Sequence, residues 1–170
     1  VINVGGSPVV GSKGVEGFAE LKRQLAQLTD RPVITALQAE LDALKALGVR
    51  KVAVATPYPD HRNQNRVEML RAAGFEPLAV RGLGIAEVDR IAKLPSHAAF
   101  GVVKEVMREA SDADGIYVAC AAWPVVGDIE AMEETFGKPV VTCVQAQAWA
   151  CLRAMGFQGR IQGYGRLFEC

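Results

Sequence analysis

Residues 31–49, RPVITALQAELDALKALGV, and residues 138–157, KPVVTCVQAQAWACLRAMGF, read as two copies of one pattern. Each begins basic-Pro-Val-apolar-Thr, continues two residues later with Gln-Ala, and closes on Leu-basic-Ala-apolar-Gly. The second copy carries one extra residue. Chance likeness between two helical segments is the competing explanation, and the shared Pro-Val-x-Thr-x-x-Gln-Ala weighs against it. Upstream of the copies, VINVGGS (1–7) and IYVACAA (116–122) occupy corresponding places, each an apolar run followed by a turn of small residues. The repeat unit is therefore strand, small-residue turn, strand, helix. Two such units predict an α/β protein with two similar halves facing each other across a pseudo-twofold.

The remaining sequence fits that frame. Short apolar runs predict strands near 1–5, 32–36, 51–56, 77–81, 115–120 and 139–143. Amphipathic stretches predict helices near 14–28, 38–47, 61–73, 97–110, 128–136 and 145–155. In LGVRK and AAGFEP a Gly follows the helix, where a left-handed residue closes the last turn. VAVAT and GIYVA have no polar face, as expected of parallel strands covered on both sides. VINV reads as the middle of a strand with nothing to start it, so a natural N-terminal segment is expected to be missing.

Composition narrows the class. The 170 residues are 50% apolar, enough for one good core or two small lobes. Nineteen basic residues balance nineteen acidic ones, with no basic run, which argues against nucleic-acid and acidic-membrane partners. No apolar stretch approaches the ~20 residues that span a bilayer. Cys120, Cys143, Cys151 and Cys170 show no metal-type spacing, and His61 and His97 are the only histidines. A reduced, cytoplasmic enzyme or binding protein is expected, and the residues leave the oligomeric state open.

Three places carry candidate chemistry. GGSPVVGSKG (5–14) follows a strand with glycines and Ser7, a turn able to offer N–H groups to a carboxylate. It lacks the spacing of a nucleotide loop, and a plain tight turn is the alternative. In ATPYPDHRNQN (55–65), Tyr58 stands between two prolines after a strand, either aimed at a ligand oxyanion or packed on the surface. Asp60 is expected to cap the helix that follows, and His61 to be a solvated first-turn residue. Finally, GIYVACAAWP (115–124) sets Cys120 at the carboxyl end of an apolar strand. Unperturbed thiols titrate near ~8.5, close enough to neutrality to give or take a proton, although a free packing cysteine is the commoner occurrence. Cys143 and Cys151 are expected in the core. Arg166, in GYGRLF (163–168), is expected to pair with a carboxylate or with the last carbonyls of a helix.

Together GGS, RPVITALQAELDALKALGVRKVAVATPY, VRGLGI, DGIYVACAA, GKPVV and GYGRLF resemble the aspartate/glutamate racemase superfamily. Within it they are most similar to the arylmalonate decarboxylase family, then to the maleate cis-trans isomerases. The resemblance implies two Rossmann-like lobes with parallel sheets, residues 1–48 with 146–170 and residues 49–145, and an active site in the cleft between them. It implies a small-molecule carboxylate substrate and no cofactor or metal. Superfamily racemases and isomerases place a cysteine at a strand end in each lobe. Here the second falls on Cys120 and the first on Gly5, which can neither accept nor donate a proton, and this is the decarboxylase pattern.

The implied activity is cofactor-independent decarboxylation of disubstituted (aryl)malonates, with maleate isomerisation or amino-acid/hydantoin racemisation as the alternative. One carboxylate is implied to bind a dioxyanion hole at Gly6, Ser7, Tyr58 and Ala121, with Gly5 also lining the substrate site and Cys120 as proton donor. Gly6 stands where the decarboxylase has a hydroxyl residue, and ACAAW replaces a glycine-rich turn, with Trp123 expected to reshape the pocket. A binding protein without turnover on the same scaffold is the third possibility.

Overall fold

The computed structural model of the protein describes residues 1–5 and 14–170. Strands β1 (Ile2–Val4) and β2 (Val33–Thr35) pair in parallel, with Val4 opposite Thr35. Strands β3 (Lys51–Thr56), β4 (Glu76–Gly82), β5 (Gly115–Val118) and β6 (Val140–Thr142) form a second, four-stranded parallel sheet. Its order is β4-β3-β5-β6. The helices are α1 (Gly14–Thr29), α2 (Ala36–Ala46), α3 (Asp60–Ala72), α4 (Val88–Ile91), α5 (Ala98–Glu109), α6 (Ile129–Phe136) and α7 (Cys143–Ala154). The single turn α4 is the one α-helix the periodicity did not predict, four residues being too short for a repeat to register.

The larger sheet is covered on both faces, so successive residues of one strand serve different cores. Val52, Val54, Tyr117 and Val141 point into one apolar cluster with Leu37, Leu41 and Leu44 of α2. Ala53, Ala55, Ile116, Val118 and Val140 point into the other, with Val102, Val103 and Val106 of α5 and Ile129 and Met132 of α6. Asp114 fastens the base of this sheet by accepting the N–H groups of Arg50 at 3.1 Å and Lys51 at 2.8 Å.

The two copies of the repeat fold alike. Thr35 precedes α2 and Thr142 precedes α7, and Gly48 and Gly156 follow them with φ of 71° and 85°. Helices α2 and α7 pack on each other, and each copy reaches across to the other's helix. Asn3 on β1 donates to Gln147 of α7 at 3.0 Å, while the Tyr117 hydroxyl on β5 donates to Glu40 of α2. Asn3 and Tyr117 hold matching places in register, as do Glu40 and Gln147, as a twofold relation between the repeats requires.

One expectation at a helix end is corrected. Asp60 is the first residue of α3 and not its cap; Pro59 holds that place with no side-chain cap bond. The Pro59 carbonyl already accepts the N–H groups of Arg62 and Asn63, and the Asp60 charge instead faces the positive end of the helix. Among the described residues no helix is long and apolar enough to cross a membrane.

Candidate active site

Of the residues singled out from the sequence, Gly5 follows β1, Tyr58 follows β3, and Cys120 and Ala121 follow β5. Beyond β3 the chain is tied into a fixed turn. Thr56 Oγ1 donates to Asn63 Oδ1 at 2.5 Å and accepts the Tyr58 N–H at 3.1 Å. Asn63 Nδ2 closes the loop by donating to the Tyr58 carbonyl at 3.1 Å. Gly82, at the end of β4, lies so close that a Cβ there would sit 2.3 Å from the Tyr58 carbonyl oxygen and 2.6 Å from Asn63 Nδ2. Tyr58 is 8% exposed, with the Arg62 guanidinium 5.8 Å from its ring centroid, so it does not pack loosely on the surface.

Beyond β5 the parallel ladder runs one residue further, Ala119 N–H donating to the Ala55 carbonyl at 2.9 Å. Cys120 then turns sharply, with φ of 101°, a backbone region that favours glycine. Its carbonyl accepts the Trp123 N–H at 3.3 Å, and its own N–H donates to Cys143 Sγ at 3.0 Å. The Cys120 side chain is 5% exposed and belongs to the same apolar cluster as Tyr58 and Trp123. Ala121 is exposed. Trp123 is 1% exposed, its indole N–H without a partner among the described residues, so its bulk goes into the core beneath the turn.

At the end of β1, Gly5 is exposed, and a Cβ built there would meet Gln147 Oε1 at 3.3 Å, a contact a small shift relieves. Gly6 and Ser7 lie outside the described residues. Since Val4 opposes Thr35 and Val118 opposes Thr142, Gly5 is level with Ala119. In the sequence the two residues that follow β1 are both glycine, Gly5 and Gly6, with no side chain to hold a proton.

The sequence reading missed a buried polar cluster beneath Cys120. Arg66 of α3 donates to Glu40 Oε2 at 3.2 Å, and the Tyr117 hydroxyl donates to the same oxygen. Cys143 Sγ lies 3.9 Å from that hydroxyl. Burial, and then the charge of Glu40, push the Cys143 thiol well above its usual range, so it keeps its proton. Burial opposes charge on Arg66, yet the acidic groups around it raise its pKa and hold it protonated. Helical spacing contained the signal: Glu40 shares a stripe with Leu37, Leu41 and Leu44, and Arg66 shares one with Asn63 and Leu70.

The other titratable candidates are settled by position. Cys143 is buried, as expected, but it opens α7 where a strand end was expected. Cys151, expected in the core, is only half-buried because its helix turns that face partly outward, and Cys170 is exposed. His61 and His97 are exposed. Arg166 meets both expectations, 3.9 Å from Glu133 and donating to the Gly137 carbonyl at 3.4 Å.

A family model described as arylmalonate decarboxylase matches residues 1–168. The chain is 31% identical over 170 residues to arylmalonate decarboxylase of Bordetella bronchiseptica, covering 99% of this chain and 71% of that protein. An unliganded structure of arylmalonate decarboxylase superposes with a TM-score of 0.90 at 31% identity, covering 98% of this chain and 73% of that one. The maleate isomerase of Pseudomonas putida S16, solved with maleate as a cysteine-to-alanine variant, gives a TM-score of 0.87 at 28% identity. That match covers 94% of this chain and 65% of the isomerase.

Proposed function

This chain belongs to the arylmalonate decarboxylase family, and on that premise we propose that it decarboxylates disubstituted malonates and protonates the product from one face through Cys120. The observation that carries the reading is a buried thiol just beyond β5 together with a sequence that has glycine, and no second thiol, just beyond β1. A racemase needs an acceptor on one face of the substrate carbon and a donor on the other. With a single thiol, proton delivery has one direction.

One carboxylate of the malonate binds the N–H of Gly6, Ser7, the Tyr58 hydroxyl and the N–H of Ala121. The other lies against apolar side chains, where its charge is poorly solvated. Its C–C bond breaks, CO₂ leaves, and the electron pair spreads onto the retained carboxylate as an enediolate. Preorganised donors stabilise that charge, one such donor contributing ~3 kcal/mol. Cys120 Sγ–H transfers its proton to the planar carbon, and water returns a proton to the thiolate. The retained carboxylate is the electron sink, so the cycle balances without a cofactor.

Maleate isomerisation is the second reading, favoured by the likeness to maleate isomerases. It requires a further nucleophile, and the other thiol at the Cys120 turn, Cys143, is held protonated by burial. Replacement of Cys120 by Ala tests the decarboxylase reading. It removes only one sulfur atom, and product formation should fall to background while the melting curve stays cooperative. Undiminished turnover by a folded Cys120→Ala protein contradicts the assignment.

A further inference from the structure

The buried cluster under Cys120 has no part in the chemistry above, yet it joins the two repeats at the reacting turn. Glu40 of the first repeat accepts from Arg66 and Tyr117, and Cys143 of the second lies against them. Cys143 Sγ in turn accepts the backbone N–H of Cys120 at 3.0 Å, at the residue whose φ of 101° suits glycine and not a side chain. A non-glycine residue stays in such a conformation only where its surroundings hold it. Hydrogen bonds that follow one another in a chain strengthen each other, and the chain here runs from the Cys120 N–H to Cys143 Sγ, which lies 3.9 Å from the Tyr117 hydroxyl that donates to Glu40.

We propose that Cys143 is a positioning residue for the decarboxylase reaction: anchored through Tyr117, Glu40 and Arg66, its sulfur holds the Cys120 backbone in a glycine-like turn and so sets the face from which the Cys120 thiol delivers its proton. The proposal rests on Cys120 being the proton donor. It assigns the second repeat's cysteine to orienting the donor, with no contact to substrate, and gives the Arg66–Glu40 pair a role beyond stability. A buried ion pair alone is weak support for stability, which makes a specifying role the better account of it.

The test combines turnover of a prochiral arylmalonate with melting, on the full-length protein and its variants. Displacing a reacting group by about an ångström costs up to ~100-fold in rate. Cys143→Ala should therefore lower kcat by ~10- to ~100-fold with KM nearly unchanged, and should lower the enantiomeric purity of the product. Cys143→Ser keeps an acceptor at that place and should restore most of both. A purely structural role would leave the purity of the surviving product intact. Unchanged kcat and purity in Cys143→Ala, or no rescue by Ser, overturns the proposal.

Melting separates this inference from the functional reading. If the turn is held against its preference, Cys120→Gly melts above Cys120→Ala, and the gap narrows when Cys143→Ala is added to both. No gap, or a gap indifferent to Cys143, overturns the held turn even where malonate is turned over. The expected gap in a protein inert toward malonates upholds the held turn and overturns the decarboxylase reading alone.

Discussion

In the proposed reaction Cys120 combines two demands on one residue: its thiol delivers the proton, while its backbone, at φ of 101°, suits glycine. Such a residue stores ~1–3 kcal/mol, which must come from surrounding structure. The N–H bond to Cys143 and the Trp123 contact are the visible restraints. Tyr58 is fixed differently, by close backbone packing against Gly82. A β-carbon at Gly82 has a carbonyl oxygen in its way at 2.3 Å, and neither backbone can yield cheaply. Gly82→Ala is expected to lose ~1–3 kcal/mol in urea unfolding and to weaken malonate turnover by displacing Tyr58. Wild-type stability would show that the turn has more freedom than this packing allows. From sequence, Tyr58 between two prolines was legible as a stiffened turn, whereas the role of Gly82 was not, because a close approach between distant backbones leaves no local signal.

At the scale of elements, the paired Thr residues show how far the repeat goes. Thr142 caps α7 fully, its hydroxyl accepting the Gln145 N–H at 3.4 Å while Gln145 Oε1 accepts the Thr142 N–H at 3.1 Å. Thr35 stands in the same place before α2, but makes no such bond, and Gln38 turns outward to Asp42. Thr142→Ala is therefore expected to cost ~1 kcal/mol by urea unfolding, and Thr35→Ala distinctly less. Equal losses would mean that both helices start alike and the asymmetry is incidental. The periodicity placed both helix starts two residues late, at 38 and 145, and the identical Thr-x-x-Gln could not separate them. What separates them is the tail, since Gln145 Nε2 also binds the Tyr164 carbonyl at 2.6 Å and is held in place. Strand and helix positions were otherwise readable because periods of two and 3.6 residues persist through each element. Turn details depended on partners far away in the chain.

Over the whole molecule, the α/β class and its parallel sheets followed from a repeat and from strands apolar on both faces. The buried Arg66–Glu40 pair did not, because charged residues in a helix are ordinarily read as its solvated side. Yet this cluster, together with Asn3 and Gln147, is where the two repeats interlock, directly behind the ends of β1 and β5. The same interlock sets β1 and β5 at matching places in the two repeats, and the proposed chemistry builds on that: one thiol, one face, one direction of proton delivery. The most direct measurement is proton NMR of the full-length protein in deuterated water, with methyl(phenyl)malonate in one tube and maleate in another. The account predicts a monoacid carrying a single α-deuterium, of one hand, and unchanged maleate. Fumarate in the second tube with untouched malonate in the first would contradict it.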